Sequence, residues 1–223
     1  NLGKIPLTNA ELIKALLLNK DNFAEETEKR QIEISLAWDR IEHGLRDDSF
    51  WYFLNEKEQS ETRIDFLFEL LADERNQTLS PLLSKGQNYF PFLVFAAQYG
   101  LTQDKEDFVR GVWSEVEKLY SEFCDWYSDL SKYHIIGFLI ASGTKIQEIF
   151  MLTRGKRKSA VMQELLDKVR KVVGKYNLNT TFYENKQNVR LKIRRLLLLF
   201  NIATLVCKSE KQYRFPFDIY KLG

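Results

Sequence analysis

Apolar residues along this chain recur at three- and four-residue steps, the spacing that gathers side chains on one face of an α-helix. Ile34, Trp38, Ile41 and Leu45 follow it, with Glu25, Glu26, Glu28, Lys29 and Arg30 on the polar side, and predict a helix over 23–45 closing near Gly44. Ile64, Leu67, Phe68 and Leu71 predict another over 61–75, and Phe108, Val112, Val116, Leu119 and Phe123 a long one over 104–130. Thr8-Asn9-Ala10-Glu11 reads as a capping box, with Leu7 and Leu12 placed as a hydrophobic staple, so the first helix is expected to start at Thr8. Further helices are predicted over 90–99, 131–142, 144–153, 157–173 and 188–208, with 131–142 central because it is nearly all apolar. The aromatic run Ser49-Phe50-Trp51-Tyr52-Phe53-Leu54 forms a short cluster, and 80–87, with Pro81 and Gly86, reads as a loop. Pro216 and alternating aromatics predict extended chain at 213–220.

Composition agrees with this pattern. Of 223 residues 44% are hydrophobic and 13% aromatic, enough for a substantial core, while ten glycines and four prolines are too few for the tight turns of an all-β chain. The expected fold is all-α, a multi-helix, bundle-like domain over 8–212, with a leading segment 1–7 and a short extended C-terminal segment 213–223. Cys124 and Cys207 lie far apart inside apolar helical patterns, which suggests neither a disulfide framework nor a cysteine metal site and points to a reducing, cytoplasmic setting. No apolar run approaches the roughly 18 residues of a membrane-spanning helix, so no membrane partner is expected. The chain opens in mid-phrase on Asn1-Leu2-Gly3-Lys4, from which a piece of a longer protein is expected.

Candidate chemistry is sparse. His43 falls near a helix end, and His134 sits in Tyr133-His134-Ile135-Ile136-Gly137, where a hydrogen-bonded core histidine is favoured over a ligand or base. The sequence has no His-x-x-x-His, Cys-x-x-Cys or Gly-x-Ser-x-Gly, and no glycine-rich phosphate loop. Neither catalytic residues, nor a metal site, nor a cofactor is expected. Trp38, Trp51, Trp113 and Trp126 share helical spacing with other apolar residues, which favours core packing over base stacking.

Charge changes the picture. Between Arg154 and Arg195 there are 13 basic residues against 3 acidic ones, a local balance of +10 inside a chain whose net charge is only +2. Such a stretch has the electrostatic footprint of nucleic-acid binding, and Lys156, Arg157, Lys158, Arg170, Lys171, Arg190 and Arg194 are the candidate DNA-contacting residues. Arg190 and Arg194 stand four apart and share a helix face. The competing reading is a basic face that docks on another protein surface or simply faces solvent.

Several phrases resemble a known family. Asn1-x-Gly3-Lys4-x-Pro6-Leu7-Thr8-x-Ala10-Glu11-Leu12, then Trp38-Asp39-Arg40-Ile41-Glu42 with Phe50-Trp51-x-Phe53-Leu54, then Tyr133 to Ile140, and finally Leu198 to Leu205 with Tyr213-Arg214-Phe215-Pro216-Phe217-Asp218 follow the order of GmrSD-type restriction endonucleases. In that family a ParB-like, nucleotide-hydrolysing domain comes first and a His-Asn-His nuclease domain last. The resemblance covers the helical segment between them. It implies a phage-defence protein that cuts modified DNA, with this chain linking the two domains, having them as partners and possessing no activity of its own. The family's Asp-Gly-Gln-Gln-Arg and His-Asn-His motifs do not occur in this sequence, so no catalytic residue carries over.

Overall fold

A computed structural model describes residues 6–23, 27–55, 62–174, 186–208 and 213–222. The described residues are all-α, with no strand among them. In chain order the helices are α1 (Asn9–Leu17), α2 (Thr27–Leu45), α3 (Asp48–Leu54), α4 (Asp65–Asn76), α5 (Phe90–Leu101), α6 (Lys105–Ser128), α7 (Leu130–Ala141), α8 (Ile146–Thr153), α9 (Lys158–Val173), α10 (Lys186–Lys208) and α11 (Phe217–Leu222), with a 3-10 turn at Lys20–Asn22. Within the chain the helices gather into two compact units, one of residues 1–47 and 58–122, the other of residues 48–57 and 123–223.

In the first unit the capping box forms as the sequence spells it: Glu11 N–H donates to Thr8 Oγ1 at 3.1 Å, and Thr8 N–H donates to the Glu11 carboxylate at 2.7 Å. Asp65 binds the same helix start, accepting from Ala10 N–H at 2.6 Å and from the Thr62 hydroxyl at 2.8 Å. Burial pushes its carboxyl above the ordinary value, and these hydrogen bonds pull partly back. At the other end of α1, Asn22 donates to Leu16 O and Leu17 O at 2.8 and 3.0 Å, and Tyr99 Oη donates to Asn22 Oδ1 at 2.6 Å. Both ends of α1 are thus closed by side chains, the start by Thr8 and the distant Asp65 and the end by the nearby Asn22, which Tyr99 holds in place, and backbone groups that a helix leaves orphaned are satisfied.

The core of this unit is apolar and aromatic. Ile13, Leu17, Leu45, Leu67, Phe68, Val94, Phe95, Val112 and Val116 are fully or almost fully buried. Trp38 stacks on Phe68 at 5.3 Å and on Trp113 at 6.0 Å between centroids, an aromatic column within the core. Arg75 crosses the packing with two bonds to Glu115 Oε2, at 3.2 and 2.9 Å, and a third to Gln98 Oε1 at 2.6 Å.

The second unit is built on α7, the segment its composition placed at the centre. Asp129 caps it, accepting from Ser131 and Lys132 N–H, and Tyr133, Ile136, Phe138, Leu139 and Ile140 are buried. The aromatic run of 49–54 becomes α3, with Phe53 stacked on Tyr133 at 4.8 Å. Against α7 lie α9, α11 and α3, and α9 also packs on α8 and α10. Gly174, at φ 74°, ends α9 in the left-handed region that glycine enters without strain.

The C-terminal segment differs in part from the expected extended chain. Tyr213 to Pro216 has no regular structure, but Phe217–Leu222 turns into α11. Pro216 precedes the helix, its carbonyl accepting from Tyr220 N–H at 3.1 Å, and Asp218 lies in the first turn. The reason is tertiary: Phe217 is fully buried, and its ring fills the space a side chain on Gly137 would need.

Candidate nucleic-acid interface

All seven candidate cations lie in the second unit, on or beside α9 and α10. Most are engaged by protein groups. Lys156 Nζ is 2.6 Å from Glu164, Lys158 Nζ is 3.7 Å from Asp129, and Arg170 Nη1 is 2.5 Å from Asp167. Hydrogen bonds from Gln163 and Arg170 hold the Asp167 carboxyl below its ordinary pKa, so it stays ionised beside the guanidinium. Arg194 Nε donates to Tyr220 Oη at 3.0 Å, with the guanidinium carbon 5.3 Å from the ring centroid. The side chains of Arg157, Lys171 and Arg190 are exposed and form no ion pair within 4 Å and no side-chain hydrogen bond among the described residues, although the Lys171 charge also acts on Asp167. Those three are the cations available to an outside anion.

No family model, curated protein or solved structure matches this chain. The likeness to GmrSD-type proteins therefore rests on the sequence phrases alone.

Arg190 and Arg194 do share a face of α10, as their spacing predicts. They border an open groove of about 420 Å³ floored by Ile193, Leu197 and Leu198 and closed by Asn201 and Tyr220. Tyr220 was invisible to charge counting, because only the folded C-terminal segment brings it beside Arg194, 26 residues upstream. The remaining cations of the basic stretch are divided. Lys168 pairs with Glu148, and Arg195 turns inward to donate to Ser142 O at 2.7 Å. Lys175 and the side chain of Lys186 lie outside the described residues.

Of the two histidines, His43 is exposed at the end of α2. His134 is only 7% exposed, and Phe215 N–H donates to its Nε2 at 3.2 Å. Burial lowers its pKa, and the nearby Arg214 charge adds to this against backbone bonds to Leu130 and Tyr213. The neighbouring Tyr133 donates to Phe215 O at 2.8 Å, and burial pushes its pKa up to about 12, so it remains a donor. Both side chains hold down the C-terminal segment, and Arg214 covers the rings of Tyr127 and Tyr133 at 4.5 and 5.1 Å. Among the described residues no group of three His, Cys, Asp or Glu is arranged to hold a metal ion, both cysteines are free thiols, and no helix is long and apolar enough to cross a membrane.

Proposed function

We propose that this chain is a helical module without catalytic groups of its own, a GmrSD-like middle segment that links a nucleotide-hydrolysing domain to a nuclease domain and holds nucleic-acid backbone on its second unit. The observation that carries the reading is the division of charge between the units. The first contains 13 basic and 21 acidic residues, net −8, and the second 20 basic and 10 acidic, net +10. A polyanion would be drawn to one unit and repelled by the other, which orients it before any contact forms. Arg157 and Lys171 at the two ends of α9, with Arg190 on α10, are the unneutralised contacts. Arg194, stacked on Tyr220, presents a guanidinium whose direction is already fixed. Contacts of this kind position a duplex without reading its sequence.

The test is anisotropy of a labelled DNA duplex titrated with the whole chain at several salt concentrations. Affinity is expected to fall with salt at a slope of about −0.9 per phosphate contacted. Reversing Arg157, Lys171 and Arg190 to Glu together should abolish binding with the helical spectrum intact. Absence of binding by the unaltered chain at low salt would overturn the proposal.

One observation favours a second reading, a protein-docking module. On α10 Leu191, Leu197, Phe200 and Val206 are 47%, 57%, 68% and 51% exposed, and a phosphate backbone offers nothing apolar to cover them.

A further inference from the structure

We infer that the groove between α10 and α11 seats one unpaired nucleotide of a DNA strand, with its phosphate on Arg190 and Arg194 and its base on the apolar floor. The inference rests on the nucleic-acid reading and deepens it: the cations of α9 and α10 hold backbone, and this groove adds a place for a base. Arg190, Arg194, Leu197 and Asn201 stand at steps of four, three and four, so they succeed one another along a single face of α10. That order sets a pair of cations at one end, hydrocarbon in the middle and an amide at the other end. Between Arg194 and Asn201 lie two helical turns, about 10 Å along the axis, which matches the reach of one nucleotide from its phosphate to the far edge of its base. The volume of about 420 Å³ falls in the range of small-ligand sites and takes one nucleotide, not paired strands.

Both ends of the groove have unused hydrogen-bonding capacity. The Arg190 guanidinium has no partner among the described residues, and Arg194 gives only its Nε, to Tyr220 Oη at 3.0 Å, so its two terminal nitrogens remain for an anion. Tyr220 accepts that bond and keeps its own hydroxyl proton to donate. The Asn201 amide is exposed and forms no side-chain hydrogen bond among the described residues; it can donate and accept at once, as the edge of a base requires. Between the ends Leu197 is 57% exposed beside the buried Leu198, hydrocarbon that a phosphate backbone leaves uncovered and the face of a base covers. The Arg194 guanidinium, held 5.3 Å from the centre of the Tyr220 ring, adds a planar surface on which a base can stack. Charge agrees with this occupant: α10 contains no Asp or Glu, and Asp218, the acid of α11, acts on Tyr133 and does not line the groove. An acyl carboxylate would also suit the cations, but its tail would set hydrocarbon against the Asn201 amide, which a base meets with donors and acceptors.

The test compares three labelled DNAs by anisotropy, each titrated with the whole chain at the same low salt concentration. One is a blunt duplex, the second the same duplex with a short single-stranded end, and the third has that end built of abasic residues, which keep the phosphates and lack the bases. The end that carries bases should be bound about tenfold tighter than the abasic end, the scale of one stacked base. Leu197→Gln and Asn201→Ala, made together, should bring those two affinities together. Both side chains are exposed, so the variant should keep the helical circular dichroism of the parent. Equal affinity for the two ends in the parent overturns the inference, while binding of the blunt duplex leaves the backbone reading standing. A preference for bases that survives the two substitutions takes the nucleotide out of this groove and overturns the inference as well. If none of the three DNAs is bound, the nucleic-acid reading itself is refuted, and the inference falls with it.

Discussion

Adding one methyl group at Gly137 probes how the C-terminal segment is held. Gly137 lies within α7, and a Cβ built there would fall 2.3, 2.5 and 2.6 Å from three carbons of the Phe217 ring, where ordinary contact begins near 3.4 Å. The ring is fully buried and has to retreat by about 1 Å, a form of overpacking that costs on the order of 1 to 3 kcal/mol. Against this, alanine is better than glycine within a helix by about 1 kcal/mol. Gly137→Ala should therefore destabilise the chain by about 1 kcal/mol, the difference of two effects with opposite sign. Removing the ring separates them. Phe217→Ala alone should cost about 3 kcal/mol or more through the cavity it leaves, but in that background Gly137→Ala should be stabilising by about 1 kcal/mol. Urea unfolding followed by circular dichroism gives the four corners of the cycle. Hydrogen exchange of the amides of Phe215 and of 217–220 should rise in both single variants, because Tyr133 and His134 hold Phe215 only while Phe217 is seated. If Gly137→Ala stabilises the parent and the Phe217→Ala variant equally, the close approach does not exist and the account of α11 fails.

Gly44 offers a similar test in the first unit, where an added Cβ would sit 1.9 Å from Tyr120 Oη and 3.0 Å from its ring carbon. Gly44→Ala should lower thermal stability, and Tyr120→Phe, which removes the closest atom, should recover part of the loss. Arg75→Ala removes a guanidinium that bonds Glu115 twice and Gln98 once in a half-buried setting; a loss of about 2 kcal/mol in urea unfolding is expected, and an effect below about 0.5 kcal/mol would show the network to be dispensable. For His134 the folded pKa lies below the ordinary 6.5, so the unfolded chain takes up the proton first as the medium becomes acidic. Its contribution to stability is complete above pH 6.5 and is lost as pH falls from there toward the folded pKa. His134→Gln should flatten that part of the stability profile, and an unchanged slope would remove His134 as its origin.

The helices were legible from the chain because their causes are local. The spacing of Ile34, Trp38, Ile41 and Leu45 fixes one apolar face, and Thr8 and Glu11 form a capping box that is complete within four residues. The excess of basic residues over 154–195 was equally plain, since it needs only counting. Which of those cations stand free was not, because neutralisation is a matter of distance: Asp129 reaches Lys158 across 29 residues and Glu148 reaches Lys168 across 20, while Arg157 and Arg190 find no such neighbour among the described residues. The short helix α11 was hidden for the same kind of reason. Tyr213 to Tyr220 reads as extended chain by its own alternation, and only the notch at Gly137 makes it favourable for Phe217 to turn inward and start a helix. The apolar pattern of α10 lies between the two cases. Its spacing is written in the sequence, but on a helix with apolar residues on both sides only the folded unit decides that Leu198 and Ile202 face in and Phe200 faces out. Periodicity reports that a face exists; burial, which depends on what the rest of the chain brings to that face, decides which one is covered.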